Sequence, residues 1–287
     1  MLVTLKQILN LCEARKYAVG SFNTPNLESV IAVIQAAEEL DVPVIIQHAQ
    51  VHEEITPIDI IGPIMIELAK KATVPVCVHL DHGETLDYVQ KAVGLGFTSV
   101  MYDGSVLPFE ENMANTKIVV SLARQTGASV EAEIGCMGKR ETGSGSAGIG
   151  IDPEKIYTDP KQAKIFVEET GIDALACSFG TTHGVYLSKP KLDFSVVENV
   201  RSLANIPVVM HGGSGVSEED FKKAIKAGVR KINYYTYMAM AGGSSIEKQL
   251  HMDKAEPTMY HDVVLWGTKA MKENCKEAIR VFALKES

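Results

Sequence analysis

The feature that most limits the folds open to this chain is a repeated alternation: a short β-branched apolar run, then a stretch patterned for a helix, over 287 residues. The runs fall at 17–22, 42–47, 76–80, 99–102, 129–134, 174–178, 208–210 and 230–234. Several are apolar without interruption, VPVII and IPVVM among them, as parallel strands buried on both faces require. Between them lie helical stretches such as NLESVIAVIQAAEEL, FEENMANTKIVVSLARQTG and SEEDFKKAIKAG. The last has Ser217 as its N-cap, acids in its first turn and Gly228 past its end. Eight strands, each followed by a helix in about 250 residues, predict a (β/α)8 TIM barrel. An open doubly wound sheet is the rival, but none of the eight expected strands runs directly into a Gly-x-Gly-x-x-Gly turn of the kind such sheets use for dinucleotides. No linker or charge block marks a boundary, so one domain over 1–287 is expected.

Charge narrows the partners. A net charge of −8 argues against nucleic acid or an anionic membrane, so a phosphorylated substrate would need a local positive site. No apolar run reaches the length of a membrane span. The amphipathic N-terminus carries Glu13 and Arg15 and lacks the small-residue cleavage site of a signal peptide. Five scattered cysteines without a C-x-x-C pair fit free thiols in a reducing cytoplasm.

The unusual residues cluster at the carboxyl ends of the expected strands, the face on which barrel enzymes carry their sites. Asp81, His82 and Gly83 follow the third run, Asp103 and Ser105 the fourth, and Glu131 and Glu133 sit at the end of the fifth. His183 and Gly184 follow the sixth, His211-Gly212-Gly213-Ser214-Gly215 the seventh, and Asn233 ends the eighth. His82, His183 and His211 can therefore converge on a zinc or other divalent ion; three imidazoles leave coordination open for a substrate. Histidines hydrogen-bonded at strand ends are the plainer alternative. His79, inside its strand, reads as structural. Asp81 suits a general acid/base, or else a carboxylate that orients His82. Glu133 and Asp103 stand as acids behind the ligands or at an alternate metal position. HGGSG, with the loop after the eighth strand, can offer backbone N–H groups to phosphate, or can simply permit tight packing. The stretch from 135 to 150 has six glycines and one carboxylate, Glu141, and reads as a lid or as an idle surface excursion.

LDHG at 80–83, GFTSVMYDGS at 96–105, VEAEIG at 130–135, YTDP at 157–160, GTTHGVY at 180–186, HGGSG at 211–215 and KIN at 231–233 occur in that order. From GSFN at 20–23 to the last helices, the chain resembles the class II, zinc-dependent fructose- and tagatose-bisphosphate aldolases. The resemblance implies retro-aldol cleavage of a ketose phosphate or bisphosphate to dihydroxyacetone phosphate and an aldehyde, a metal ion stabilising the enediolate. It implies His82, His183 and His211 as metal ligands and Asp81 as the acid/base. Glu133 and Asp103 become acids near a mobile metal, Glu141 the lid carboxylate that moves the enolate proton, and Asn233 a catalytic residue. Asn23, Gly184, Gly212, Ser214, Asn233 and Thr236 match the site for substrate and phosphate. A monovalent cation beside that phosphate and a homodimer or homotetramer also follow from the family pattern. ALACSFG offers no lysine for the Schiff-base route of class I aldolases. A metal-dependent epimerase or hydrolase on the same barrel, or a non-catalytic sugar-phosphate binding barrel, are the alternatives.

Three places depart from the family pattern. Ala49 and the run QHAQVHEEI, with His48 and His52, stand where relatives have Ser or Thr with glycines. NYYTYM places Tyr235 and Tyr237 after the eighth strand, and Lys139-Arg140 precede Glu141. The metal and donor-phosphate halves look complete; the aldehyde half, and with it the sugar, stays open.

Overall fold

In this computed structural model, which describes residues 1–135, 157–182, 184, 190–252 and 257–285, the alternation becomes a closed parallel barrel. The strands are β1 (Leu2–Val3), β2 (Val19–Asn23), β3 (Val44–Ala49), β4 (Val76–Gly83), β5 (Ser99–Tyr102), β6 (Ser129–Ile134), β7 (Ala174–Cys177), β8 (Val208–Met210) and β9 (Val229–Tyr234). The helices are α1 (Leu5–Arg15), α2 (Leu27–Leu40), α3 (Ile58–Lys71), α4 (Leu86–Leu95), α5 (Phe109–Thr126), α6 (Pro160–Thr170), α7 (Phe194–Ala204), α8 (Glu218–Ala227), α9 (Thr236–Leu250) and α10 (Tyr260–Phe282). Strands β2 to β9 pair with their neighbours in sequence, and β9 pairs with β2, which excludes the open sheet.

Period-two alternation sorts the side chains. Phe22, Ile46, Val78, Leu80, Val100, Ala132, Leu175, Met210 and Ile232 pack outward with the helices in the main core. Val19, Ile45, Cys77, Met101, Ala174, Ala176 and Val209 face inward and meet Leu5, Ile8, Leu9 and Cys12 of α1. Helix α1 thus closes the amino-terminal end of the barrel with apolar side chains. Its start is fixed by a capping box between Thr4 and Gln7. The buried residues Asp81, His82, Asp103, Glu133 and His211 stand at the carboxyl half.

Several boundaries differ from expectation. The first barrel strand begins at Val19, not at 17, because Lys16 ends α1 in the left-handed region and Tyr17 N–H still bonds the Cys12 carbonyl. The second begins at Val44 because Pro43 has no N–H to give a ladder. Ser178 leaves the strand and gives its N–H to Thr158 Oγ1. YTDP is a junction: Thr158 ties to Ile134, while Asp159 caps α6 and Pro160 opens it. The short β1, unforeseen in the sequence, lies along β4 where β5 has not yet begun. Ser217 and Gly228 bound α8 as expected. No helix among the described residues is long and apolar enough to cross a membrane.

Candidate metal centre and active site

Asp81, His82 and Gly83 belong to β4 itself and do not follow it. The ladder to β5 slips between Leu80 and Gly83, and His82 has φ 42°. Regular alternation would send neighbouring side chains to opposite faces. The irregularity instead lets both residues serve the mouth, as bulges do near active sites.

His82 Nδ1 lies 2.8 Å from Asp103 Oδ2, and Asp103 is itself held by the N–H and hydroxyl of Ser105. Across the barrel, His211 Nε2 lies 2.9 Å from Glu131 Oε1. A carboxylate can only accept, so each contact fixes the proton on the outer nitrogen. The inner nitrogens, His82 Nε2 and His211 Nδ1, then face each other at 2.9 Å. With both rings neutral, lone pair would face lone pair, so the gap demands positive charge, either a proton carried by His82 or a cation in its place. Carboxylate-backed imidazoles are the usual support of metal-binding histidines. Glu133 adds to the case: its Oε2 is buried without a hydrogen-bond partner, 3.9 Å from His211 Nδ1. The ligand atoms of Asp81, His82 and His211 lie within 4.8 Å of one another, as do those of His82, Asp103 and Glu133. The donor set fits a divalent ion.

The electrostatics agree. Burial opposes charge on His82, but the Asp81 carboxylate and the bond to Asp103 outweigh it and push the imidazole up to about 10. Burial, then the Asp103 charge, drives Glu133 well above the usual carboxylate range. Asp81 and Asp103 are held below that range: burial opposes this, but His82 and the hydrogen bonds prevail. The pocket is an acid-rich well that favours positive charge.

Asp103 holds the outer nitrogen of His82, and a separate set of partners holds Asp81. Its two oxygens accept from Asn23 Nδ2 at 2.9 Å and Asn233 Nδ2 at 3.0 Å. Gln47 secures Asn23 at 2.8 Å, and Lys231 secures Asn233 at 2.8 Å. The carboxylate is thereby fixed beside the imidazoles but apart from their backing acids.

Glu131 is deeper than foreseen, within β6 opposite Ala174, and Glu133 alone stands at the rim. Glu131 also meets Lys231 Nζ at 2.9 Å, both side chains fully buried. Neither residue had been assigned a role from the sequence. The signal was available: Glu131 lies two before Glu133 and Lys231 two before Asn233, so period two places each pair on the inward face. His79 is structural as expected, hydrogen-bonded to Ser99 at 2.8 Å and held neutral by burial and then by the Lys231 ammonium.

The HGGSG turn meets the end of β9. Gly213 N–H bonds the Asn233 carbonyl at 3.1 Å, and Ser214 Oγ accepts from Tyr235 N–H at 3.3 Å. Gly212 has φ 67°, and a Cβ there would lie 2.4 Å from the Thr182 carbonyl oxygen; the turn admits only glycine at this point. Gly184 also has positive φ, and Thr236 opens α9 beside the turn. His183 and Glu141, with Lys139, Arg140 and nearly all of the glycine-rich stretch, lie outside the described residues.

An acid-backed imidazole pair beside a fixed carboxylate, at the carboxyl ends of barrel strands, defines a TIM-barrel enzyme with a cation-seeking site. Known proteins narrow the class. The family described as Fructose-bisphosphate aldolase class-II matches residues 3–287. A fructose-bisphosphate aldolase of Staphylococcus aureus (strain Mu50) is 38% identical over 288 residues, covering 98% of this chain and 97% of that one. The YdjI aldolase of Escherichia coli K12 superposes with a TM-score of 0.86 at 36% identity, covering 98% and 97%. Fructose-bisphosphate aldolase of Campylobacter jejuni gives 0.80 at 25%, covering 98% and 95%. The chain belongs to the class II fructose-bisphosphate aldolase family and is an aldolase, a carbon–carbon lyase acting on a phosphorylated sugar.

Proposed function

We propose that the chain, working as one domain over 1–287, cleaves a ketose phosphate to dihydroxyacetone phosphate and an aldehyde with zinc held by His82, His183 and His211. The observation that carries the reading is the opposed pair of imidazole nitrogens, each backed by a carboxylate. A bound divalent ion supplies Lewis acidity that stabilises negative charge on the donor half of the substrate. The Asp81 carboxylate takes the proton from the hydroxyl on the carbon that becomes the aldehyde. The O–H pair becomes the C=O bond, and the pair of the broken C–C bond stays with the donor half, which Glu141 protonates. Asn23 and Asn233 hold Asp81 in register for this transfer. Gly184, Gly212, Ser214, Asn233 and Thr236 receive the donor phosphate, with a monovalent cation as its neighbour. Glu133 and Asp103 serve an alternate metal position, Asp103 also orienting His82.

A homo-oligomer in the cytoplasm completes the reading. Met240, Leu250, Met252, Met259, Tyr260 and Leu265 on and between α9 and α10 are exposed, a surface suited to a second copy, and light scattering of the purified chain tests it.

The decisive experiment is chelation followed by metal restoration, with dihydroxyacetone phosphate release read by a coupled dehydrogenase. Cleavage should vanish and return with zinc or another divalent ion. Activity surviving thorough metal removal would sink the mechanism, and turnover without dihydroxyacetone phosphate would mark an epimerase or hydrolase.

A further inference from the structure

The run that departs from the family pattern builds a second constellation beside Asp81. Ala49 ends β3 as the register partner of Asp81, and the short turn Gln50–His52 follows at once. Gln50 Oε1 accepts from Glu84 N–H at 2.9 Å, which binds this turn to the end of β4. His52 is 9% exposed, and its ring stands 5.1 Å from that of Tyr235 and 6.2 Å from that of His48. Tyr235 follows β9, and β2 lies between β9 and β3 in the barrel. The His52–Tyr235 contact therefore spans the end of β2, where Asn23 holds Asp81. The metal-seeking imidazoles lie elsewhere on the rim, over β4 and β8.

Three ring nitrogens here, His52 Nδ1 and both of His48, are buried with no hydrogen-bond partner. Buried polar atoms are rarely left so. Burial keeps both rings below their usual pKa, so they are uncharged at pH 7. The formal charges that act on them are Asp81, Glu53 and Lys91, and Lys91 is engaged by Glu53 and Asp59. Uncharged nitrogens beside two carboxylates suit hydroxyl groups and repel an anion.

Resting on the aldolase reading above, we infer that His52, backed by His48 and edged by Tyr235, determines specificity by bonding a hydroxyl on the aldehyde half. The enzyme thereby selects an uncharged hydroxyaldehyde over an alkyl aldehyde or one ending in phosphate. The substrate class is then a ketose 1-phosphate without a second phosphate.

The test is addition of dihydroxyacetone phosphate to glyceraldehyde, propanal and glyceraldehyde 3-phosphate by the metal-loaded enzyme. Glyceraldehyde should exceed the other two in kcat/KM by about tenfold or more, since a site built for a hydroxyl discriminates against analogues lacking it. His52→Leu should erase the advantage over propanal, and His52→Asn, which keeps a donor and an acceptor, should recover part of it. Proton exchange into dihydroxyacetone phosphate alone, followed by NMR in D2O, contains no aldehyde and reports the donor side. Exchange retained in His52→Leu with lost discrimination supports the assignment. Equal loss with glyceraldehyde and propanal, loss of exchange in the variant, or a wild-type preference for glyceraldehyde 3-phosphate overturns it. No exchange in the wild type overturns the aldolase reading and this inference with it.

Discussion

Glu131 and Lys231 form a fully buried ion pair in which the acid also accepts from a proposed metal ligand. Such pairs are weak evidence of stability but costly to break. Glu131→Gln is expected to lower divalent-ion affinity about 10- to 100-fold, because His211 loses its charged anchor. Chelator competition measures this, and unchanged affinity would assign Glu131 to the core alone. Asp81→Ala should keep the ion yet reduce turnover by about 10²-fold or more, the scale of acid/base loss; a near-normal rate would leave Asp81 structural. His48 gives a pH signature. Burial first, then His52, lowers it to about 4, against the opposing charges of Glu53 and Asp81. The unfolded chain, with a histidine near 6.5, binds that proton first, so the contribution is whole above pH 6.5 and is lost as pH falls towards 4. The loss is about 3 kcal/mol, and His48→Leu should make the acid limb of a urea-stability profile shallower. Most of these residues were legible in the sequence because strand ends are marked by acids, histidines and glycines. For Glu131 and Lys231 the spacing marked the inward face but not that the two meet, because a charge inside a strand has no visible partner until the strands across the barrel are known.

At the scale of elements, the decisive piece is the end of β4. Adding a Cβ at Gly83 would place it 2.7 Å from both the Met101 carbonyl oxygen and Val89 Cγ2. Gly83→Ala must therefore shift the strand end that carries Asp81 and His82. Activity and metal affinity are expected to fall together by more than about tenfold, with circular dichroism little changed; independent behaviour of the two would argue against a shared backbone cause. Repetition made the barrel readable, whereas the bulge depends on how β4 meets β5 and leaves no local mark beyond the glycine. The same is true of α1, whose amphipathic pattern was visible but whose role as a plug follows only from closure of the barrel.

For the whole molecule, stability and function share one ion. If the acid-rich centre binds it only when folded, divalent metal at 100 times Kd should raise unfolding free energy by about 2.7 kcal/mol. Denaturant titration with and without chelator checks this, and equal midpoints would mean that the centre does not require the ion. Fold and family were legible over nearly the full length; the aldehyde half was not, since its residues lie where the sequence leaves the family pattern. The polar column of the site crosses the barrel. Asn23, Gln47, Asp81, His82 and Asp103 come from β2 to β4 and the loop after β5, while Glu131, Glu133, His211, Lys231 and Asn233 come from β6 to β9 and the loop after β8. A chain cut between α5 and β6 would yield two fragments, His82 on one and His183 and His211 on the other, with buried charges facing nothing. Neither fragment alone could be a lesser version of the enzyme, and reassembly would restore activity as a single event.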